Sequence, residues 1–320
     1  MRRDLLVGLG SFLIVMALAL PSYVLGQVIK FPLDQSETVT LTGTGMSYFS
    51  PARDAEVTGA DIRATDTFTG DPADGSSSVA AWSQLSYVYD TTNDELVQVM
   101  TRTFAFDRRT AQIVGCRCAN VDGNSAIVQA GLAGPVFPIG ARPTTYDVFD
   151  TALDRPEPFG YGGTAMVDGI EAYRFVEDVP PTRLGYSPLS STQPEYATIR
   201  QVYWVDPVTG MLLDVNSYQK SYLTDPATGA QTTVLYGGDL RATPASVRAM
   251  VRLDGAERDK ISLLRTVLPI VLGAAGVVAL TAGIVVARRP RRDTGGAPGA
   301  PTEPLAGSTG PGRGTTARFV

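Results

Sequence analysis

The sequence predicts a mainly β domain outside the cytoplasm, flanked by two transmembrane α-helices. Three observations predict this: an uncharged apolar run near the C-terminus, a second apolar run at the N-terminus, and short β-branched and aromatic segments between them. Turn residues separate these segments, so we expect antiparallel meanders, which could form tandem barrel-like β units.

The C-terminal apolar run covers residues 267–287, and we predict a transmembrane helix over residues 263–287. At ~1.5 Å per residue, such a run is long enough to cross a hydrocarbon core of ~30 Å. Arginines follow immediately within residues 288–292, and positively charged flanks stay in the cytoplasm. The residues before this helix are therefore expected to lie outside the cytoplasm.

The N-terminal segment, residues 1–29, places Arg2 and Arg3 before an uncharged run from Leu5 to Ile29. A signal peptide and an uncleaved signal anchor both fit this pattern. The run is longer than a usual signal-peptide core and no A-x-A cleavage site follows it, which favours the anchor. Either way residues 27–259 are exported, and with the anchor both termini lie in the cytoplasm at the plasma membrane.

The exported segment is strongly acidic, with 17 Lys and Arg against 29 Asp and Glu, a net charge of −12. Nucleic-acid binding needs a positive surface potential, so we exclude nucleic acid as a partner. The final residues, 288–320, are rich in Gly, Pro, Thr and Ala and poor in aliphatic residues. They predict a disordered basic tail in the cytoplasm.

Two predicted meanders of similar design lie about a hundred residues apart. In the second, two turns of the form D-P-x-T-G, Asp206–Gly210 and Asp225–Gly229, bracket one long strand. The repetition suggests one β unit over residues 30–130 and another over residues 131–243. The predicted strands cover residues 78–89, 96–106 and 111–118 in the first meander, and 197–205, 211–223 and 231–240 in the second.

Two further elements have clear local signals. Asp168-Gly169 between alternating segments predicts a tight hairpin. Thr243-Pro244 predicts a helix start, with Thr as N-cap and Pro at the first helical position. The helix over residues 244–262 would link the β domain to the transmembrane helix.

The sequence offers little catalytic chemistry. It contains no histidine, which removes His-dependent catalytic triads and His-containing metal sites, and it lacks a phosphate-binding loop. Cys116 and Cys118 could form a local disulfide or remain thiols, and two cysteines are too few for a structural zinc site. We therefore expect no metal, no cofactor and no enzymatic activity.

One enzymatic alternative stays open, because glycoside hydrolysis needs only two carboxyl groups at the right separation. An acidic cluster that could serve is Asp147, Asp150, Asp154 and Glu157.

Three phrases resemble the porin PorA family of actinobacterial membrane proteins, which otherwise has no assigned function. They are FPIGARPTTYDVFDTAL, VDGIEAYRFVEDVPP and YWVDPVTGMLLDV, which follow the family's patterns "FPF-dt-kktY-ywD", "v-dGl-tYkF" and "v-P-tG" in order. With the two apolar runs, the resemblance covers most of residues 1–290. The chain departs from it at Val148-Phe149, where the family commonly has a tyrosine and a tryptophan.

The resemblance implies an accessory role in the cell envelope, including lipoglycan (lipomannan and lipoarabinomannan) assembly. Our leading hypothesis is a tethered, non-enzymatic domain that binds an envelope lipid or glycolipid, or an envelope biosynthesis protein. An aromatic, proline-rich segment could line an apolar cleft for the lipid. Its candidate ligand-binding residues are Phe137, Tyr146, Phe149, Phe159 and Tyr161.

The family name suggests a second hypothesis, a porin or transport component. Such a role would require oligomerised membrane helices. Ala275, Ala279 and Gly283 place small residues at four-residue spacing on one face of the C-terminal helix, a pattern typical of helix–helix interfaces.

Overall fold

The computed structural model describes residues 2–288 of the chain. The predicted disordered tail, apart from Arg288, lies outside these residues. At the N-terminus, α1 (Arg2–Ala19) continues through a π-helical turn (Leu20–Val24) into the short α2 (Leu25–Val28). At the other end, α3 (Pro244–Ser262) continues through a second π-helical turn (Leu263–Val267) into α4 (Leu268–Arg288).

The segment between these helices is a mainly antiparallel β structure. Its strands are β1 (Ser36–Ser50), β2 (Ala55–Gly70), β3 (Val79–Asp90), β4 (Glu95–Asp107), β5 (Ile113–Val114), β6 (Asn120–Val121), β7 (Tyr146–Asp150), β8 (Arg155–Val167), β9 (Ile170–Tyr186), β10 (Pro194–Val205), β11 (Leu212–Thr224) and β12 (Gln231–Ala242).

All twelve strands belong to one half-barrel sheet rather than to two tandem barrel-like units. Its order is β5-β4-β3-β2-β1-β12-β11-β10-β9-β8-β7, and β6 also pairs with β4. The reason is the pairing of β1 with β12, for example Thr42 with Arg241, which joins the meander of β1–β4 to that of β8–β12. The strands of both predicted units thus lie in one continuous hydrogen-bonded sheet.

The predicted hairpins are confirmed. β10, β11 and β12 follow one another across the two D-P-x-T-G turns, and β8 and β9 meet across Asp168-Gly169. Both residues of that two-residue turn have positive φ, 44° and 88°, as a type I′ turn requires. In the D-P-x-T-G turns, the aspartate side chain accepts backbone N–H bonds, as Asp225 does from Ala227 and Thr228.

The strand predicted over residues 111–118 is wrong for most of its length. Only Ile113–Val114 is extended, because Ala111 adopts a positive φ of 56° and the chain turns again after Gly115. Cys116 and Cys118 lie in the following turn, outside any strand, and their sulfur atoms are joined in a disulfide.

One face of the sheet, hereafter the inner face, is covered by two elements. The first is α3, whose Met250 is buried against β1 and β12. Its N-terminus is capped as predicted, because the Thr243 hydroxyl accepts the backbone N–H of Ser246 at 3.1 Å.

The second element is the loop at residues 131–141, hereafter the covering loop. It inserts Leu132, Val136 and Phe137, all almost fully buried, into an aromatic core with Phe104, Phe106 and Phe175 as members. Its backbone is fixed at both ends: the Leu132 N–H donates to the Asp147 carbonyl at 2.7 Å and the Phe137 N–H to the Gly210 carbonyl at 2.7 Å.

One helix of the described chain, running from Pro244 to Val286, is long and apolar enough to cross a membrane. The prediction of two such helices is corrected here, because the N-terminal apolar α-helix spans only Asp4–Ala19 before the π-helical turn at Leu20. A spanning α-helix needs about 20 residues.

The two apolar helices pack against each other in antiparallel orientation. Glycine permits the approach: a Cβ on Gly10 would lie 2.8 Å from the Gly276 carbonyl oxygen, and one on Gly276 would lie 2.9 Å from the Gly10 carbonyl oxygen. Further along, Gly283 lies against Leu6 and Val7. Gly283, predicted to serve an interface between molecules, is therefore used inside the chain.

Candidate functional site

A cavity of about 290 Å³ lies on the inner face, between the sheet, α3 and the covering loop. It separates the two main clusters of core residues, because its lining includes members of both, such as Leu41 and Phe159. It reaches the surface where the exposed residues Tyr87, Gln98 and Asp122 contribute to its lining.

One part of the cavity lining is apolar. Strand alternation places these side chains on the inner face of β1, β2, β11 and β12, and α3 adds one more. They are Val39, Leu41, Ala64, Val215, Leu240 and Met250.

The most unusual polar residue of the lining is Arg102 on β4, whose side chain is 2% exposed. Its Nε donates to Gln129 Oε1 at 2.7 Å and its Nη1 to the Ala133 carbonyl at 2.9 Å. The guanidinium lies between the rings of Phe104 and Phe149, 4.2 and 4.6 Å from their centroids. Burial lowers the pKa of Arg102 to about 9, and among the described residues its buried Nη2 has no hydrogen-bond partner.

A chain of hydrogen bonds borders the same cavity. The Tyr203 hydroxyl donates to Gln201 Oε1 at 2.8 Å, and Gln201 Nε2 donates to Asp150 Oδ2 at 2.9 Å. Asp150 Oδ1 accepts the backbone N–H groups of Ala152 and Leu153 at 2.7 and 2.9 Å. Asp150 thus holds the turn between β7 and β8, and both of its oxygens are engaged.

Glu177 on β9 lies next to this chain and is fully buried. Burial, and then the nearby charges of Asp150 and Glu157, raise the pKa of Glu177 to about 9, so it is protonated at neutral pH. Its carboxyl group is close to Asp150 and Gln201, yet neither oxygen makes a hydrogen bond of good geometry to any described residue. Glu177 is not part of the cavity lining.

Two more polar features face the cavity. Asp66 accepts hydrogen bonds from Ser86 and from Gln84 Nε2, and burial raises the pKa of Asp66. The hydroxyl of Tyr236 on β12 is buried and has no hydrogen-bond partner within residues 2–288. With Arg102 Nη2, the lining therefore contains two unused hydrogen-bond donors.

The five aromatic residues predicted to bind a ligand separate into three locations. Phe149 and Phe159 line the cavity. Phe137 is stacked on Phe175 at 4.8 Å within the aromatic core, with Tyr146 edge-on to both. Tyr161 is 36% exposed and packs on Tyr173 and Phe175, outside the cavity lining.

The acidic cluster predicted as a glycosidase alternative has mainly turn and surface roles. Asp154 has a positive φ of 55° in the turn that Asp150 caps. Glu157, which is half-buried, forms an ion pair with the exposed Arg155 at 2.5 Å. Asp147 lies at an exposed position on β7 and its carbonyl holds the covering loop.

Sequence reasoning missed Arg102, Gln201, Tyr203 and Tyr236. A signal for Arg102 was present, since Met100, Arg102 and Phe104 alternate on one face of a strand, which places a charge at an inward position. The signal for Gln201 and Tyr203 is weaker. They continue the face of the buried Ala197 on β10, but the opposite face carries the apolar Val202 and Trp204, so alternation alone does not identify the inward face.

Comparison with known proteins identifies a family for this chain. No curated protein matches the chain. Residues 4–285, which include most of both apolar helices and the whole sheet, match the family described as Porin PorA. The chain therefore belongs to the PorA family.

Proposed function

We propose that this chain is a membrane-tethered, non-enzymatic protein whose exported β domain binds the apolar part of an envelope lipid or glycolipid. The observation that supports the proposal is the cavity on the inner face. Protein interiors are close-packed and rarely leave such a space unfilled. Its apolar side chains with a few polar groups are typical of a ligand site.

The size of the cavity limits what it can hold. About 290 Å³ is at the lower end of the ~300–1,000 Å³ that small-molecule sites span. This volume suits a single apolar chain or part of a larger amphiphile. The apolar residues Leu41, Leu240 and Met250 would contact the chain, and the polar part of the lining would contact the head group.

The membrane attachment that we propose uses one spanning helix, Pro244–Val286, whose C-terminal end lies in the cytoplasm, with α1 retained and packed against it. In support, large apolar side chains project from both helices into the surroundings, among them Phe12, Leu18, Ile270 and Val278, each at least 60% exposed. The glycine-mediated contact between Gly10 and Gly276 supplies α1 with a packing partner in the membrane.

A non-enzymatic role is supported by the state of the buried carboxyl groups. Hydrolysis of a glycoside needs one carboxyl group as acid and another as nucleophile or base beside the substrate. Asp150 reaches the cavity, but both of its oxygens are hydrogen-bonded, and its neighbour Glu177 does not line the cavity. The role in lipoglycan assembly extends this proposal from the family resemblance.

The test is native mass spectrometry of the full chain extracted gently from its own membrane. We expect a lipid adduct that is retained after boundary lipids have been stripped. Ala64→Leu, which adds volume to the cavity lining, should abolish this adduct. Ser83→Leu, an exposed position on the opposite face of the sheet, is the control and should retain it.

The proposal is wrong if the wild-type chain carries no adduct beyond boundary lipids, or if Ala64→Leu retains the adduct while the chain stays folded. The pore hypothesis loses part of its support, because Gly283 packs against α1 rather than facing another molecule.

A further inference from the structure

The guanidinium of Arg102 is a buried charge whose hydrogen bonding is incomplete. Gln129 Oε1 and the Ala133 carbonyl occupy Nε and Nη1, while Nη2 has no partner among the described residues. A buried charge usually has an opposite charge in contact with it, because removing an ion from water is costly. None of the ion pairs in the described part of the chain includes Arg102.

The surroundings of Arg102 explain why no protein group completes its bonding. Two of its neighbours are the faces of Phe104 and Phe149, which attract a cation but accept no conventional hydrogen bond. Asp150 exerts an attraction on Arg102, but its oxygens are bound to Gln201 and to backbone N–H groups. Nη2 of Arg102 is thus an unused donor, and Arg102 lines the cavity, where a ligand could reach it.

Burial raises the pKa values of Asp66, Asp150 and Glu177, the acidic residues at or beside the cavity, and this weakens their repulsion of an anion at this position. Glu177 is uncharged at neutral pH, because burial and neighbouring charges favour its protonated form. The Tyr236 hydroxyl, on the opposite half of the sheet, adds a second unused donor to the same cavity. A ligand that presents oxygen acceptors would satisfy both.

We propose that the cavity binds an amphiphile through an anionic oxygen group, a phosphate or a carboxylate, held by Nη2 of Arg102. The apolar chain of that ligand lies along Leu41, Leu240 and Met250. This inference rests on the proposed function and goes further, because it assigns the chemistry of the head group and the residue that selects it. A hydrogen bond between two charged groups is about twice as strong as a neutral one.

The experiment uses three photoreactive probes with the same alkyl chain and a diazirine near its end: dodecyl phosphate, dodecanoic acid and dodecanol. Each is added to the full chain in lipid nanodiscs and crosslinked by light. Peptide mass spectrometry then gives the crosslinking yield on peptides that contain Leu240 or Met250 and the yield on peptides of α4. The α4 yield reports partitioning of the probe into the bilayer, so the first yield is divided by it.

We expect this ratio to be about tenfold higher for at least one anionic probe than for dodecanol. Enrichment of dodecyl phosphate alone identifies a phosphate head group, and enrichment of dodecanoic acid alone identifies a fatty acid. Arg102→Met should reduce the anionic probe to the level of the alcohol, and Arg102→Lys, which keeps the charge, should retain part of the preference. Arg63→Met, an exposed arginine of β2, should behave like the wild type.

The wild-type comparison decides the matter even if Arg102→Met does not fold. Equal crosslinking of all three probes at Leu240 and Met250 overturns the anionic head group but leaves lipid binding intact. Crosslinking on α4 alone, with none in the cavity, overturns the proposed function. An unchanged preference in a folded Arg102→Met variant shows that another residue selects the head group.

Discussion

At the scale of single residues, two turns of the same sequence pattern have different structural roles. Gly210 and Gly229 end the two D-P-x-T-G turns with φ of 78° and 72°. A Cβ on Gly210 would lie 2.2 Å from the Phe137 carbonyl oxygen of the covering loop, whereas one on Gly229 would meet nothing within 4 Å. The first turn therefore packs against the covering loop, whereas the second only connects two strands.

We expect Gly210→Ala to destabilise the chain by about 1–3 kcal/mol more than Gly229→Ala. Both substitutions place an alanine at positive φ, which costs ~1–2 kcal/mol, but only the first forces the covering loop away from β11. Thermal unfolding of both full-length variants measures the difference. Equal melting temperatures would show that the covering loop does not need this contact.

Asp254 of α3, which contacts Thr209 of the first D-P-x-T-G turn, makes the free energy of unfolding depend on pH. It is fully buried, its Oδ1 accepts a hydrogen bond from Thr209, and its Oδ2 has no hydrogen-bond partner in the described part of the chain. Burial, and the nearby Asp206, raise the pKa of Asp254 to about 7 from an ordinary value of 3.8. Between these values the folded state holds a proton that the unfolded state has lost, so this group's contribution to stability falls as pH rises.

We expect Asp254→Asn to remove this loss. The amide keeps the acceptor for Thr209 but cannot ionise, so the variant should be more stable than the wild type at pH 8 by at least about 1 kcal/mol, or about 2–4 °C. At pH 5 the difference should be smaller. Asp259→Asn, an exposed position on the same helix, is the control. A difference that does not change between pH 5 and pH 8 would contradict the assignment.

At the scale of elements, strands and turns with strong local signals were predictable and contacts between distant elements were not. The hairpins of β8–β12 and the capped start of α3 depend on neighbouring residues, so their sequences are sufficient to predict them. The covering loop has no periodicity. Among its hydrogen-bond partners are Arg109, Val208 and Gly210, which are remote in sequence, and only the folded sheet brings these partners to the loop.

The pairing of α1 with α4 is another contact between distant elements, and cysteine crosslinking can measure it. A Cβ on Gly273 would lie 3.8 Å from the Ala17 Cβ, within the range of a disulfide. We expect the double variant Ala17→Cys, Gly273→Cys to form a disulfide in membranes under mild oxidation. The intact mass of the crosslinked variant should include the residues of α1.

Adding Gly10→Leu should prevent most of the crosslinking, because its side chain would enter the space of Gly276 and Leu280. Gly8→Leu is the matched control on the same helix, since a Cβ there meets nothing within 4 Å. If both leucine variants crosslink equally, the helices do not pack through these glycines.

At the scale of the whole molecule, the contact between β1 and β12 determines the architecture. Gly43 allows the close approach of these strands: a Cβ there would lie 2.2 Å from the Asp239 carbonyl oxygen. The two meanders were predictable from their turns, but their joining was not, because no local pattern identifies the partner of an edge strand. The cavity depends on this joining, since its lining comes from both halves of the sheet.

We expect Gly43→Ala to lower the melting temperature of the full chain by several degrees, because about 1–3 kcal/mol is lost when β12 must shift. The control is Gly237→Ala on β12, where a Cβ would be in ordinary contact at 3.5 Å or more. Thermal unfolding should also show a single transition for the wild type. Two separate wild-type transitions would indicate that the halves are stable without each other.

The pairing of Leu41 with Ala242 joins positions about 200 residues apart in the chain, which affects how the protein must be made. During synthesis β1 forms early, while its partner β12 is among the last strands to appear. Until then β1 is an unprotected sheet edge that can pair with the same edge of another nascent copy. Such distant pairing is intrinsically slow, so the yield of correctly assembled protein should fall as the expression level rises.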